Sequence, residues 1–438
     1  MNKIDRLTSP LRLFQPEYTH YLLGEVGAKA LAFGTFVFIA RYVGPADFGW
    51  ISLYVTLSAL LAVAVGAGLP SALVPFYFGE QRFSAVIGTT ALGWACAVVG
   101  IGALAAILAP WAAQRLDVPA ALVWAAIVGG IAISLRTAWL IVLRARKESR
   151  VHATAQFAEA ALFAILIAGV MIVTPPDYRF VIACYTAPTA VVGIAGVLRL
   201  RRNPGFEFDP ALVVPLLRFA VPMMFHAFAM TGLATSDQLV VNQLLGPDAA
   251  GRYAFAYRFG MAMMVLATAF SSAWLPDFLE LSRQPDSGAR IRANARRYVN
   301  VMIGGAMALM IALPPVVRML GGDAYAEAPR IVPVVIYAYL WFVLYTLVFA
   351  HVMRTRTTGA MAAASLSAFA VNIGLNYGLI PRLGLMGAAL ASVAGYAALF
   401  AIQLATHRHL ISGTGLAGLT ARVALAGLVP LLLSSSIF

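Results

Sequence analysis

Ile39-Ala40-Arg41-Tyr42-Val43-Gly44-Pro45-Ala46-Asp47-Phe48-Gly49 joins two long apolar runs, and its core returns 202 residues later as Gly246-Pro247-Asp248-Ala249-Ala250-Gly251. Both cores read G-P-x-x-x-G. Proline presets φ and glycine permits a backbone conformation that other residues resist, so each Gly-Pro pair predicts a tight turn between helices. With 37 Gly and 23 Pro in the chain, two such turns can coincide by chance. Their positions in the hydropathy pattern argue instead for a repeat, because one follows the first apolar run and the other follows the seventh. Six runs separate them, and an even number brings both halves into a membrane in the same direction. Parallel repeats of this kind are related by an axis along the membrane normal, and transporters often bind substrate between them near the midplane.

Around those turns the chain is nearly continuous hydrocarbon. Hydrophobic residues make up 61% and charged residues 11% of 438 residues, and the mean hydropathy is +0.84. A soluble domain has about 45–50% apolar and about 25% charged residues. A bilayer core of about 30 Å needs about 20 helical residues. Twelve runs meet that length: 21–42, 50–70, 84–109, 120–143, 153–173, 179–198, 219–244, 253–275, 298–319, 331–353, 359–380 and 384–406. A weaker thirteenth, 415–435, is interrupted by Arg422. The predicted fold class is therefore all-α, a polytopic membrane protein of 12 or 13 transmembrane helices in two parallel-repeat six-helix lobes. Residues 1–203 form the first lobe, 204–408 the second, and 409–438 an extension that either does or does not cross again.

The chain carries 31 Lys+Arg against 18 Asp+Glu, a net charge of +13. Nucleic acid is one partner for such a charge. Here the basic residues sit in short gaps between apolar runs, where retention on the cytoplasmic face explains them. With the N-terminus in the cytoplasm, nineteen basic residues fall in inside segments and seven in outside segments. A cytoplasmic N-terminus is the expectation, and no nucleic-acid partner is expected. The two cysteines, Cys96 and Cys184, each lie within an apolar run and do not suggest a disulfide framework. The first run carries Glu25 and Lys29 and reads as a retained helix, not a cleaved leader.

Several stretches together match a known pattern. Ile39 to Gly49 resembles the "AR-x-LG-x-x-x-FG" opening of polysaccharide transporters. Leu217-Arg218-Phe219-Ala220-Val221-Pro222 is similar to the start of their second half. Ser236-Asp237-Gln238-Leu239, Gly246 to Gly251, Tyr253-Ala254 and Ala256-Tyr257-Arg258 resemble their "D-x-L … LG-x-x-x-x-G-x-YA-x-A-x-R" signature. Pro381-Arg382-Leu383-Gly384-Leu385-Met386-Gly387-Ala388-Ala389 looks like their "P-x-x-G-x-x-GAA" turn. The resemblance, over runs one to twelve, is to the O-antigen and capsule flippases of the multidrug/oligosaccharidyl-lipid/polysaccharide exporter superfamily. It implies two lobes facing a central cavity and alternating access by rocking. It also implies a cargo of undecaprenyl-diphosphate-linked oligosaccharide, carried across a bacterial inner membrane for cell-surface polysaccharide synthesis. Membrane lipid and other polysaccharide-assembly proteins are the further partners implied. Two departures stand out. Leu73-Val74-Pro75-Phe76 occupies a place where family members often carry a basic residue, and the thirteenth run has no partner.

Charges at membrane depth cost about 2.5–3.5 kcal/mol each on insertion scales and usually face a cavity or a partner. Glu25 and Lys29 are four apart and share a helix face. They either neutralise each other for insertion, or Lys29 helps bind diphosphate while Glu25 couples to an ion. Arg258 is the leading diphosphate candidate, because guanidinium matches phosphate oxygens with forked donors and stays charged when partly dehydrated. A salt bridge to Asp237 is its structural alternative. Arg136 is a third diphosphate candidate, or else pairs with Glu159. Asp237 and Glu159 join Glu25 as ion-coupling candidates, since a carboxylate in a partly dry cavity can carry a proton. Asp237 lies near a helix end, where a capping role is the alternative. His226 reads as a satisfied interior histidine, and Asn372 with Asn376 as partners in interhelical hydrogen bonds. His407 and His409 lack Cys or acidic neighbours, so no metal site is expected, and no cofactor either.

Two other functions compete. A multidrug exporter of the same fold wants acidic groups in its cavity for cationic drugs, whereas basic groups at depth are at least as many here. A polymerase or ligase often carries a substantial external loop with catalytic residues. The external segments are short and hold no paired carboxylate or nucleophile constellation, so the chain is not expected to be an enzyme.

Overall fold

The computed structural model describes residues 16–79, 83–146, 148–173, 177–201, 207–284, 287–355, 358–407 and 416–430. Regular structure among them is helical. In chain order the helices are α1 (Pro16–Gly66), α2 (Leu69–Gly79), α3 (Phe83–Leu116), α4 (Ala120–Ala145), α5 (Ser149–Val173) and α6 (Tyr178–Arg201). They continue with α7 (Pro210–Thr235), α8 (Asp237–Leu281), α9 (Gly288–Gly321), α10 (Ala328–Thr355), α11 (Thr358–Leu383), α12 (Leu385–Thr406) and α13 (Leu416–Ala426). A short 3-10 turn, Asp323–Tyr325, leads into α10.

Ten described stretches are long and apolar enough to cross a membrane. Two of them, Val26–Gly66 and Pro210–Ser271, are 41 and 62 residues long, room for two crossings each. Each is interrupted at the glycine of a G-P-x-x-x-G core. Gly44 takes φ 79° and ψ 170°, and Gly246 takes φ 85° and ψ 174°. Outside the helical region by one residue, each glycine turns one helix directly into the next with no loop between them. The protein is a multi-pass, all-α membrane protein. The apolar helix at the end, Leu416–Pro430, spans about 22 Å at 1.5 Å per residue, short of a bilayer core. Residues 415 and 431–435 of that predicted run lie outside the described residues.

The chain divides into two compact units. The first holds the leading span to Tyr42 with Leu57–Ala109 and Val123–Val221. Close helix approach there depends on small residues. A Cβ at Gly130 of α4 would come 2.7 Å from the Leu61 Cβ, and one at Gly193 of α6 would come 3.1 Å from the Arg136 nitrogen. Lipid is as apolar as a leucine side chain, so this close packing carries much of the association between helices.

The second unit holds Val43–Thr56, Pro110–Leu122 and the described residues from Pro222 onward. Its core is α10. Val335, Ile336, Tyr339, Leu340, Val343, Leu344 and Val348 are all fully buried there, under α8, α9 and α12. Val43–Thr56 carries the first G-P-x-x-x-G core and Pro222 onward carries the second, so both turns lie in one unit.

Candidate functional site

The two glycine-proline turns meet. A Cβ on Gly49 would overlap the Pro247 carbonyl, and a Cβ on Gly251 would overlap the Pro45 carbonyl. Each core thus lays its last glycine on the other's proline, a reciprocal contact. Phe48 of the first core is fully buried, edge-on to Phe255 and Tyr325 at 6.4 Å each. Arg258 lies with its guanidinium carbon 5.6 Å from the Phe48 ring centroid. Neighbouring polar contacts hold the same region. Asn242 Nδ2 donates to the carbonyls of Leu116 at 3.1 Å and Asp117 at 3.0 Å, and Gln243 Nε2 to that of Arg115 at 2.5 Å. These carbonyls end α3 and have no partner within their own helix, so the two amides act as its C-terminal cap.

Asp237 opens α8 and is 1% exposed. The helical run 219–244 expected from hydropathy is broken there for one residue, Ser236, between α7 and α8. Side chains form its hydrogen-bond shell. Tyr253 Oη donates to Oδ2 at 2.9 Å, and Ser392 Oγ makes a short hydrogen bond to the same oxygen. Asn376 Nδ2 donates to Oδ1 at 2.8 Å, and Asn372 Oδ1 accepts from Asn376 at 3.2 Å. Asn372 Nδ2 in turn donates to the Ala391 carbonyl at 3.1 Å. All these donors are neutral. The Asn376 Oδ1, also buried here, has no hydrogen-bond partner among the described residues. Next to the cage, Tyr339 Oη donates to Tyr257 Oη at 2.9 Å, deep against α10.

Arg136 and Glu159 form an ion pair between α4 and α5, through Nε and Oε2. Thr189 Oγ1 of α6 donates to the other carboxylate oxygen at 2.9 Å. The side chains are 24% and 15% exposed, so the pair is mostly withdrawn from solvent. Among the expected site residues, then, these two are brought together in the first unit, while Arg258 and Asp237 lie in the second. Lys29 is exposed on α1. The side chain of Glu25 lies outside the described residues, as does His409.

Hydropathy and motif reading did not single out Ser392, Tyr253 or Asn376 as companions of Asp237. The available signal was a polar stripe at helical spacing: Asn372 and Asn376 on α11, and Ser392 and Tyr396 on α12, each pair four apart. His226 is satisfied on both ring nitrogens, by Ser365 Oγ at 2.7 Å and Tyr345 Oη at 3.3 Å. His407 places Nδ1 3.0 Å from the Gln403 carbonyl. Among the described residues no group of three or more His, Cys, Asp or Glu gathers to hold a metal ion.

Comparison with known proteins adds four findings. Over 321 residues the chain is 25% identical to the succinoglycan biosynthesis transport protein ExoT of Rhizobium meliloti (strain 1021). That match covers 70% of this chain and 62% of the relative, so the chain spans less than two thirds of the curated relative's length. Among solved structures, the lipid II flippase MurJ in an inward closed conformation superposes with a TM-score of 0.67 at 14% identity, covering 95% of this chain and 98% of that one. An inward-facing multidrug resistance MATE family transporter of the MOP superfamily superposes with a TM-score of 0.65 at 15% identity, covering 88% and 94%. At such identities these two show a shared fold. The family described as "Polysaccharide biosynthesis protein" matches residues 18–282, more than half of the chain, and the protein belongs to that family.

Proposed function

We propose that this protein is a flippase that moves undecaprenyl-diphosphate-linked oligosaccharide across the bacterial inner membrane by alternating access, with its N-terminus in the cytoplasm. The cargo serves cell-surface polysaccharide synthesis. Its relatives are named for succinoglycan transport and for flipping lipid II, both lipid or polysaccharide cargoes. The observation that carries the choice of an anionic cargo over a cationic drug is the fate of the intramembrane carboxylates. Glu159 is committed to Arg136, and Asp237 is enclosed by protein donors at 1% exposure. Neither is displayed for a cationic drug. On the cationic side, Arg136 is spent on Glu159, and Arg258 and Lys29 are the diphosphate groups of this reading, Arg258 for its forked guanidinium donors.

Asp237 is the ion-coupling group in this reading. Among the described residues its hydrogen-bond donors Tyr253, Ser392 and Asn376 are all neutral, so a proton or sodium ion taken up there changes the charge of a buried site. Glu159, already neutralised by Arg136, is the poorer coupling group. A deletion strain tests the cargo. Loss of surface polymer with accumulation of the lipid-linked unit on the inner face is the expected result. Unchanged polymer together with sensitivity to cationic drugs would replace this cargo with a drug on the same fold.

A further inference from the structure

The first unit contains an apolar pocket of about 480 Å³. Its wall includes Leu69 after α1, Ala91 and Trp94 of α3, and Ala138, Trp139 and Val142 of α4. Trp94 Nε1 donates to Ser134 Oγ at 2.8 Å, so the indole offers no spare donor to an occupant. Backbone at Glu207 and Phe208 closes one side. A methyl on Gly88 would overlap the Glu207 carbonyl, and Asp209 N donates to Thr89 Oγ1 at 3.0 Å, so this strap is pinned to α3. A wall of this kind receives hydrocarbon and gives a glycan or phosphate nothing to bind.

Beyond Val142 the face of α4 that lines the pocket changes character. Ala138, Trp139 and Val142 form a stripe on α4, and Arg146 continues it one turn on, its backbone nitrogen bonded to the Val142 carbonyl at 2.9 Å. Arg146 is half-buried, and its guanidinium has no ion-pair or hydrogen-bond partner among the described residues. Arg144 in the last turn of α4 and Arg150 in the first turn of α5 flank it, at the end that the basic-residue distribution assigns to the cytoplasm. At about 30 Å³ for each carbon-sized centre, the share a water molecule has in its liquid, the pocket takes roughly sixteen centres. That is room for one hydrocarbon chain, the number a polyprenyl carrier has, whereas a glycerophospholipid would leave its second chain outside.

We propose that this pocket is a loading site for the carrier lipid: it receives the first isoprenoid segment of a polyprenyl diphosphate, with Arg146 on the phosphate. The inference rests on the flippase reading and adds to it the place where the tail is held at the cytoplasmic leaflet. A single-chain amphiphile with an anionic end suits a hydrocarbon pocket with an arginine one helical turn beyond its lining residue Val142.

The test uses the full chain in lipid nanodiscs and undecaprenyl diphosphate carrying a diazirine on its first isoprene units. Irradiation is expected to label peptides of α3 and α4, with competition by unlabelled undecaprenyl phosphate and not by phosphatidylglycerol. Ala138→Phe, which fills the pocket, and Arg146→Ala are each expected to weaken probe binding roughly tenfold. Labelling of the unsubstituted protein reads the site even if the filled variant folds poorly. Carrier-competed label found only on other helices would overturn the pocket and leave the flippase reading standing. Equal competition by phosphatidylglycerol would make it an ordinary lipid site and overturn the proposal. No label anywhere on the chain would overturn the pocket and the flippase reading together.

Discussion

Gly49 and Gly251 pack backbone against backbone: a Cβ on Gly251 would stand 2.8 Å from the Gly49 nitrogen, and a Cβ on Gly49 3.2 Å from the Gly251 nitrogen. Each closes a G-P-x-x-x-G core, and the two cores come from opposite halves of the chain. The contact gives the repeat a physical use. Two turns of the same shape place their final glycines where only a hydrogen atom fits between the two backbones.

Gly49→Ala and Gly251→Ala therefore each force the two turns apart. Overpacking of this size costs about 1–3 kcal/mol. Gly44→Ala is expected to cost a similar amount for a different reason, since φ 79° with ψ 170° is a region essentially reserved for glycine, at about 1–3 kcal/mol for other residues. Thermal unfolding of the purified variants reads both effects, and an unchanged melting temperature for Gly49→Ala would mean that the turns separate at no cost.

Asp237 separates a structural from a coupling role. Asp237→Ala strips the acceptor from Tyr253, Ser392 and Asn376, and each buried group left unsatisfied costs about 1–3 kcal/mol. Its membrane abundance is expected to fall. Asp237→Asn preserves volume and much of the hydrogen bonding while removing the charge, so abundance is expected to persist while export is lost. Full export by Asp237→Asn would show that the carboxylate serves packing alone.

The Arg136–Glu159 pair should behave as one unit. Removing either member of a buried pair costs about 3–5 kcal/mol, and the partial exposure of these side chains puts this pair toward the low end. Arg136→Met with Glu159→Leu together removes both charges and is expected to recover much of the stability that either single change loses. Measuring abundance and export of all three variants completes the cycle. Stable protein without export in the double variant would return one of the two residues to the transport machinery.

Arg258 and Phe48 form the remaining pair. A cation over an aromatic face is worth about 0.5–1 kcal/mol where exposed and about 2 where desolvated. Arg258→Ala and Phe48→Ala are expected to be non-additive in unfolding by about that amount. Export is expected to be abolished by Arg258→Ala without a fall in abundance, because the residue also stands as a diphosphate candidate. Normal export by that variant would count against a diphosphate role for Arg258.

Much of the architecture was legible without coordinates. Hydrocarbon content over windows of about 20 residues is a property of the local chain, and it determined an all-helical membrane protein. Gly44-Pro45 and Gly246-Pro247 likewise announced their turns, because φ preference belongs to the residue itself. Partnership was not legible in this way. Asp237 and Ser392 are 155 residues apart, and the sequence left Arg136 open as a phosphate ligand or as the partner of Glu159, which the packing of α4 and α5 brings to it. The reason lies in the solvent. A helix in water shows its buried face as an apolar stripe, but a helix in lipid is apolar on both its buried and its exposed faces. Hydropathy therefore marks where the chain crosses, and only tertiary packing decides that Gly49 meets Gly251 and that Asp237 is enclosed by Tyr253, Asn376 and Ser392.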